Sequence, residues 1–176
     1  MAKFIYLILG CFITVSCKNS DDQEVRNSFK NFNHFYQQQK DYRKIPKPLL
    51  SENLIYYIDL AKQKEKQSAE NIKQSDFPTD KPEIVEGDIF SSLYEGFNEY
   101  KILNSTIKKD TAQLQLELTN TNFKPITIWN DECILVKQNG QWKVDNFIFG
   151  KLDNAGFEST QNIFKSFLHF ENPPEK

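Results

Sequence analysis

Residues 131–149 read DECILVKQNGQWKVDNFIF, and this stretch decides the fold. Asn139-Gly140 stands between two runs in which apolar and polar residues alternate. Both central residues of a type I′ turn need a positive φ angle, and Asn followed by Gly adopts it readily. Trp142 and Val144 then share one face of the second run. The stretch therefore predicts a β-hairpin whose arms are joined by a two-residue turn.

The alternation in the second arm changes parity near its end. Asp145-Asn146 interrupts it, and Phe147 and Phe149 continue on the opposite parity. A slip of one residue would turn these apolar side chains to the wrong face of the sheet, so we predict a β-bulge at Asp145-Asn146. The scaffold is therefore expected to be a bent sheet.

Two further strands precede the hairpin. One begins at Tyr100 and continues to about Ile107, after which Lys109-Asp110 forms a turn. The next segment predicts a half-buried strand because its apolar residues alternate with polar ones. These apolar residues are Ala112, Leu114, Leu116 and Leu118. With the hairpin, whose first arm starts after Pro125, the strands predict a four-stranded antiparallel meander.

Two amphipathic helices are predicted before the strands. Asp22 can cap the first helix and Ser51 can cap the second. Their apolar stripes at helical spacing are Val25, Phe29, Phe32 and Tyr36 in the first helix and Leu54, Tyr57, Ile58 and Ala61 in the second. Residues 62–67 are wholly polar, so the second helix is expected to fray into solvent there. Thr160 can cap a last short helix, and the whole pattern predicts an α+β fold.

Length and composition indicate one domain. The chain has 176 residues, 15 Phe and a formal net charge of −2, which suits a single domain with a sizeable core. The near-neutral balance of positive and negative charges argues against nucleic acid as a partner, since phosphate binding needs a basic face. The cysteines are Cys11, Cys17 and Cys133, so the sequence predicts neither a disulfide framework nor a cysteine-based metal site. Cys133 is expected to be a small sheet residue.

The N-terminal segment has the features of a secretory leader. Lys3 supplies a positive charge, and residues 4–15 are mostly apolar but too short to span a bilayer. Residues 14–17, Thr-Val-Ser-Cys, resemble the lipobox of bacterial lipoproteins, with Thr where that family prefers Leu. The resemblance implies a signal peptide over residues 1–16 and acylation of Cys17. Ile8-Leu9-Gly10-Cys11 matches the lipobox more closely but leaves too short an apolar stretch before it. A plain signal peptide, in which Cys17 is incidental, is the alternative.

Polar and charged residues, KNSDD, follow Cys17 directly. This composition predicts a flexible tether over residues 17–24. A lysine followed by acidic residues also resembles the surface-export signal of bacterial lipoproteins. We therefore expect a protein of the bacterial cell envelope, held to the membrane by its N-terminal lipid. The outer membrane is the expected membrane, with the protein on its periplasmic side or at the cell surface.

Several short stretches, taken with the order of the predicted elements, carry a family resemblance. They are Phe35-Tyr36, Leu49-Leu50-Ser51, Leu54, Gly87-Asp88-Ile89-Phe90, Leu135-Val136-Lys137 and Gly140-Gln141-Trp142-Lys143-Val144-Asp145. Together they resemble the nuclear-transport-factor-2-like superfamily, and most of all an uncharacterised branch of bacterial exported proteins and lipoproteins. The resemblance implies a cone-like domain over residues 25–150, in which a curved sheet wraps around helices and often leaves a pocket at the open end. Residues 151–176 lie outside it as a C-terminal tail with a short helix.

The sequence contains no recognisable catalytic, metal-binding or cofactor-binding motif. An isomerase-like reaction in a cone would need a carboxylate base and an oxyanion donor, and the available pairs are Asp145 with Tyr36 or Tyr57. Asp145 is better explained as the bulge residue, bonded to backbone or solvent. Trp129 and Trp142 could stack a ligand, but such aromatic residues are more often part of a sheet core.

The residues considered for a pocket or its rim are therefore Tyr36, Tyr57, Trp129, Trp142 and Asp145. The many Phe and Leu residues favour a filled, mostly dry interior over an open pocket. The sequence thus favours a non-catalytic envelope lipoprotein that binds a small molecule or a protein, including an immunity-type role against an exported toxin. The alternative is a cone-fold enzyme of the isomerase or hydrolase type that acts on a small molecule.

Overall fold

The computed structural model describes residues 14–150 and 156–168, with side chains from residue 20 onward. The helices are α1 (Thr14–Gln39), α2 (Glu52–Lys73) and α3 (Thr160–Phe167), with 3-10 turns at Tyr42–Lys44 and Lys47–Leu49. The strands are β1 (Glu99–Lys108), β2 (Thr111–Asn120), β3 (Thr127–Gln138) and β4 (Gln141–Ile148). The strands form one antiparallel sheet in the order β1-β2-β3-β4. The predicted α+β class and the four-stranded meander are confirmed.

The turn between β3 and β4 is the predicted one. Asn139 and Gly140 have φ angles of 53° and 76°, as a type I′ turn requires. Gln138 and Gln141 face each other next to the turn, so the two arms pair from their first residues onward. The hairpin is therefore confirmed.

Two bulges interrupt the sheet, and each increases the local twist. The predicted bulge is confirmed, because the register of β3 with β4 shifts so that Asp145 has no opposite residue. Phe147 and Phe149 consequently face the same side as Val144, and all three are buried. The other bulge, in which Leu103 is the extra residue of β1, was not predicted from the sequence.

One face of the sheet, here called the inner face, packs against the helices. The alternation predicted for β2 is confirmed, since its fully buried residues are Ala112, Leu114, Leu116 and Leu118. The predicted stripe of α1 is buried as well: Val25, Phe29 and Phe32 at 0% exposure and Tyr36 at 3%. The opposite side of the sheet, turned away from the helices, is called the outer face.

Helix α1 begins earlier than the sequence predicted. It starts at Thr14, so the backbone of residues 17–24 is helical rather than a flexible tether. The side chain of Cys17 and the leader residues 1–13 lie outside the described residues. Across the described part of the chain, no helix combines the length and apolar character that crossing a membrane requires.

Two ion pairs involve the residues at the predicted start of the helix. Asp22 does not act as a cap but pairs with Arg26 one turn later, at 2.8 Å between carboxylate oxygen and Nε. Asp21 accepts a hydrogen bond of 2.8 Å from Nζ of Lys137 near the end of β3, and this bond lowers the pKa of the Asp21 carboxyl. A pair at spacing i,i+4 stabilises a helix by a few tenths of a kcal/mol. The contact with β3 adds a tertiary partner, which a sequence pattern does not reveal.

Helix α2 passes through the polar stretch 62–67, where fraying was expected. Glu65 in this stretch is only 8% exposed. Its carboxylate accepts hydrogen bonds from Tyr42 Oη at 2.8 Å, Arg43 Nε at 2.7 Å and the backbone N of Val85 at 3.0 Å. The prediction of fraying is wrong because these partners come from distant segments and hold the polar helix against the domain.

The C-terminal helix belongs to the same core as the rest of the domain. Ser159, one residue before the predicted Thr160, caps α3 by accepting a backbone hydrogen bond. Ile163 and Phe164 are buried with the core residues of the sheet and of α1. The boundary expected at residue 150 therefore does not separate two cores.

Candidate functional site

Aromatic rings fill the space between the helices and the inner face. The completely buried rings that touch one another are Phe29, Phe32, Phe90 and Phe147. The centroids of Phe32 and Phe90 lie 5.0 Å apart with the rings at 85° to each other, and those of Phe90 and Phe147 lie 5.4 Å apart. Edge-to-face and tilted contacts at these distances are favourable. This packing agrees with the filled interior that the sequence predicts.

Tyr36 lies beside this cluster and pairs with Asp88 instead of Asp145. Its ring packs edge-on against Phe90, with centroids 4.9 Å apart, and its hydroxyl forms a hydrogen bond with the Asp88 carboxylate. The backbone N of Phe90 donates to Asp88 Oδ1 at 2.8 Å. Burial raises the pKa of the Asp88 carboxyl to about 6, although the bonds from Phe90 and Tyr36 and the charge of Lys40 oppose the rise.

The Asp88 carboxylate has no room for a substrate beside it. Asp88 is 7% exposed. A Cβ atom at Gly96 would lie 2.0 Å from Asp88 Oδ2, so the backbone of the loop covers the carboxylate. Lys40 Nζ lies 5.5 Å from the centroid of Tyr36 and donates to the backbone oxygen of Phe97 at 2.5 Å. This arrangement therefore holds the loop before β1 against the end of α1.

Asp145 is engaged by two polar side chains at the bulge. Its Oδ1 accepts a hydrogen bond of 2.5 Å from Ser51 Oγ, and its Oδ2 accepts one of 3.1 Å from Gln161 Nε2. The position at the bulge is as predicted, but the partners are side chains rather than backbone or solvent. Tyr57 is half-buried, with its ring parallel to that of Phe164 at a centroid distance of 6.3 Å.

Both tryptophans are part of the sheet core, as predicted. Trp129 is 7% exposed and Trp142 is 5% exposed. Trp129 Nε1 donates to Asp131 Oδ2 at 3.0 Å. Trp142 Nε1 has no hydrogen-bond partner of normal geometry among the described residues, although the Asp21 carboxylate lies near it. Lys137 Nζ lies over the Trp142 ring, 5.4 Å from its centroid.

Asp131 is a buried carboxylate whose role the sequence pattern did not predict. It is 2% exposed and accepts hydrogen bonds of 2.7 Å from the backbone N of Ser92 and of Gly150. The hydroxyl of Ser92 donates to it as well. These bonds join the loop before β1, the strand β3 and the chain after β4. A charged residue at an inward-facing position between Trp129 and Cys133 was the signal that could have revealed it.

An open groove lies on the outer face of the sheet. A groove of about 380 Å³ crosses the sheet where β4 ends and β3 continues. We call it the outer groove and define it by Leu103, Gln115, Asn130, Glu132, Ile148 and Gly150. The register brings three of these side chains into one row, because Gln115 lies opposite Glu132 and Glu132 lies opposite Ile148.

The outer groove combines apolar walls with one available carboxylate. Leu103 is 52% exposed and Ile148 is 37% exposed. Glu132 accepts a hydrogen bond of 2.6 Å from Gln113 Nε2, whereas the neighbouring Asp131 is surrounded by donors from its own chain. None of the six defining residues is basic. The groove therefore suits an aliphatic group that ends in a hydrogen-bond donor or a cation.

In the described part of the chain, no group of three or more His, Cys, Asp or Glu residues is placed to hold a metal ion. Cys133 is completely buried in β3, and burial raises the pKa of its thiol well above the usual value. The prediction that Cys133 is a small sheet residue is confirmed.

No protein-family model, curated protein or solved structure matches the chain. The likeness to the nuclear-transport-factor-2-like superfamily therefore rests on the residues that carry it in the sequence.

Proposed function

We propose that this protein is a non-catalytic lipoprotein of the bacterial cell envelope, anchored to the outer membrane through acylated Cys17. In this proposal its domain has the nuclear-transport-factor-2-like cone fold and binds a partner protein through the outer groove. The observation that carries the proposal is the contrast between the filled interior and the groove on the opposite face of the sheet.

The buried carboxylates support binding over catalysis. Asp131, Asp88 and Glu65 are each less than a tenth exposed and accept hydrogen bonds from their own chain. A general base must lie within hydrogen-bond reach of the substrate proton that it removes. Carboxylates that are covered in this way serve to join segments of the chain.

The composition of the outer groove favours one kind of partner group. A Lys or Arg side chain of a partner protein carries an apolar stem and a charged end. Its stem would pack between Leu103 and Ile148, and its charged end would meet Glu132. Gln115 and Asn130 add hydrogen-bonding groups beside the carboxylate. A protein with an exposed basic side chain therefore fits this groove better than a wholly apolar ligand does.

Contacts of α1 with the sheet support the proposed cone-like fold. The Phe29 ring packs edge-on against Tyr100 on β1, with centroids 5.1 Å apart, and Ser28 Oγ donates to the backbone oxygen of Trp142 on β4 at 2.5 Å. One helix thus touches both outer strands of a four-stranded sheet. Each outer strand carries a bulge, and bulges increase twist and bend a strand. A sheet that curves around α1 accounts for these contacts together.

Site-specific photo-crosslinking in intact cell envelopes tests the proposal. The full chain would carry a photoreactive amino acid at Gln115 in the outer groove, or at Lys73 on α2 as the matched surface control. We expect one protein adduct from position 115 and none at the same mass from position 73. Glu132→Lys in the same chain should abolish the adduct, because it places a positive charge where the partner cation binds.

Two results would contradict the proposed binding surface. One is the absence of any adduct from position 115 above the level at position 73. The other is an adduct whose yield does not change with Glu132→Lys. Circular dichroism of the purified Glu132→Lys chain checks that the fold is retained, since Glu132 lies on the outer face and not in the core.

A further inference from the structure

The two edges of the sheet differ in how they are covered. The free side of β4 is bridged by other parts of the chain, with Leu50 paired to Val144 and Ser159 paired to Ile148. Within the described residues, β1 pairs with β2 alone. One side of this ten-residue strand therefore presents backbone N–H and C=O groups without strand partners. An edge of this kind is a template for another strand.

The bulge in β1 determines which register a second strand could take. The inward-facing residues are Tyr100 and Ile102 before the bulge and Ser105 and Ile107 after it. Paired strands of one sheet must place inward residues opposite inward residues. A second β1 strand, running antiparallel, meets this condition along its whole length when a two-fold axis passes between Leu103 and Asn104.

In this symmetric register the bulges of the two strands meet, and apolar side chains of the two copies face each other. The two bulges lie together at the axis, so neither shifts the register of the strand arms beyond it. Tyr100 of one copy lies opposite Ile107 of the other, and both side chains are only half-buried in the single chain. Leu103, which is 52% exposed, comes beside Leu103 of the second copy on the outer face.

Charges at the two ends of β1 are complementary in the same register. Glu99 begins the strand and Lys108 ends it, so each Glu99 lies opposite Lys108 of the second copy. The described part of the chain contains no ion pair of its own for either residue. Because the axis is two-fold, the ion pair between Glu99 and Lys108 forms twice. Opposite charges directly across an antiparallel ladder are stabilising, and like charges are destabilising.

Space is open beside the start of β1, at Tyr100. A groove of about 590 Å³ is lined there by Tyr100 and by residues of the polar face of α1, which include Lys30, Asn31 and His34. We propose that β1 is the contact surface for a second copy of this chain, and that two copies form a continuous eight-stranded sheet. The contact is isologous, because the same strand serves on both sides of the axis.

Charge reversal tests the pairing in the full chain, purified in dodecyl maltoside and examined by sedimentation velocity at several concentrations. We expect a dimer for the natural sequence. Glu99→Lys and Lys108→Glu should each raise the dimer dissociation constant by about tenfold or more, because two repulsive pairs replace two attractive ones. The double variant restores both attractive pairs, so its dissociation constant should return close to the natural value. Lys62→Glu, on the exposed face of α2, is the matched control.

A second measurement does not depend on charge. Leu103→Cys lies next to the axis, so oxidation in the envelope should link two chains, whereas Lys62→Cys should give no linked dimer. The inference is overturned by a monomer at every concentration or by a dimer that neither single charge variant weakens. It is also overturned if the double variant fails to recover, or if positions 103 and 62 cross-link equally. Thermal unfolding of each variant checks that these exposed substitutions leave the fold intact.

Discussion

Ser51 joins the start of α2 to the bulge of β4. Its Oγ accepts a hydrogen bond of 3.0 Å from the backbone N of Leu54, and its hydroxyl donates to Asp145 Oδ1 at 2.5 Å. Its own backbone N donates to the oxygen of Val144 at 2.8 Å. One residue therefore caps a helix and holds the extra residue of the bulge, which couples the position of α2 to the bend of the sheet.

Ser51→Ala should lower the free energy of unfolding by about 2–3 kcal/mol, because it removes a helix cap and leaves Asp145 without one donor. Asp145→Ala should have a smaller effect. Urea unfolding of both variants and of the double variant gives a double-mutant cycle. We expect a coupling energy of about 1 kcal/mol. Additive losses would show that the cap and the bulge are independent.

Leu116→Ala should lower the free energy of unfolding by about 2–5 kcal/mol, because Leu116 is completely buried and its truncation leaves a cavity. Gln115→Ala, one residue earlier on the exposed outer face, should cost about 0.5 kcal/mol or less. Urea unfolding compares the two. Equal losses would contradict the register of β2. Gln115→Ala also alters the outer groove without disturbing the core, which makes it a useful binding variant.

The contribution of Asp88 to the free energy of unfolding should decrease as the pH rises. Burial raises its pKa from 3.8 to about 6, so the folded protein holds the proton more tightly than the unfolded chain does. Its contribution is largest below about pH 4, falls through the range between these two pKa values, and is lost above about pH 6. The total change is on the order of 3 kcal/mol.

Other carboxyls shift in the opposite direction, among them Asp21, Asp22 and Asp41, whose pKa values are lowered. The test is therefore the difference in unfolding free energy between the natural chain and Asp88→Asn, measured from pH 4 to pH 7. We expect the natural chain to lose stability relative to the variant over this range. A difference that stays constant with pH would contradict the raised pKa of Asp88.

Cys17→Ser should move the protein from the membrane fraction to the soluble fraction of broken cells. Each buried CH₂ of an acyl chain contributes about 0.8 kcal/mol to membrane binding, so the loss of several chains releases the protein. Immunoblotting of the two fractions measures the change. Cys11→Ser is the matched control and should have no effect. Unchanged fractionation of Cys17→Ser would refute the lipid anchor.

Trp142 should be protected from solvent. In a full chain with Trp129→Phe, the emission reports on Trp142 alone, since the sequence has two Trp. Acrylamide should quench this emission poorly because Trp142 is 5% exposed. Efficient quenching, or a saturable shift of the emission with a small molecule, would instead indicate an open interior and favour the enzyme alternative. Free tryptophan in the same buffer is the reference.

Local rules account for the features that the sequence predicted correctly. Asn139-Gly140 can form a tight turn because its two residues tolerate positive φ angles, wherever the hairpin lies in the molecule. The parity change at Asp145 indicates a bulge because strand side chains alternate between two faces. The stripe of α1 and the alternation of β2 depend in the same way on residues close together in the chain.

Long-range partners account for what the sequence did not reveal. Glu65 lies in a polar stretch that looks solvated, yet it is buried by partners in the turn after α1 and in the loop before β1. The sequence offers Tyr36 as one of two possible partners of Asp145, whereas the fold brings Tyr36 to Asp88. The outer groove depends on the register of all four strands and on a bulge at Leu103 that leaves no parity signal strong enough to predict.

The sequence by itself determined the elements, their inward-facing residues and the bend at Asp145, because turn chemistry and side-chain periodicity act over a few residues. Only the tertiary structure decided which carboxylates are buried, where the helices end and which face of the sheet stays open. Those features depend on hydrogen bonds and ion pairs between segments far apart in the chain, such as Ser51 with Asp145 and Asp131 with Ser92. Side-chain spacing along one segment contains no information about such partners.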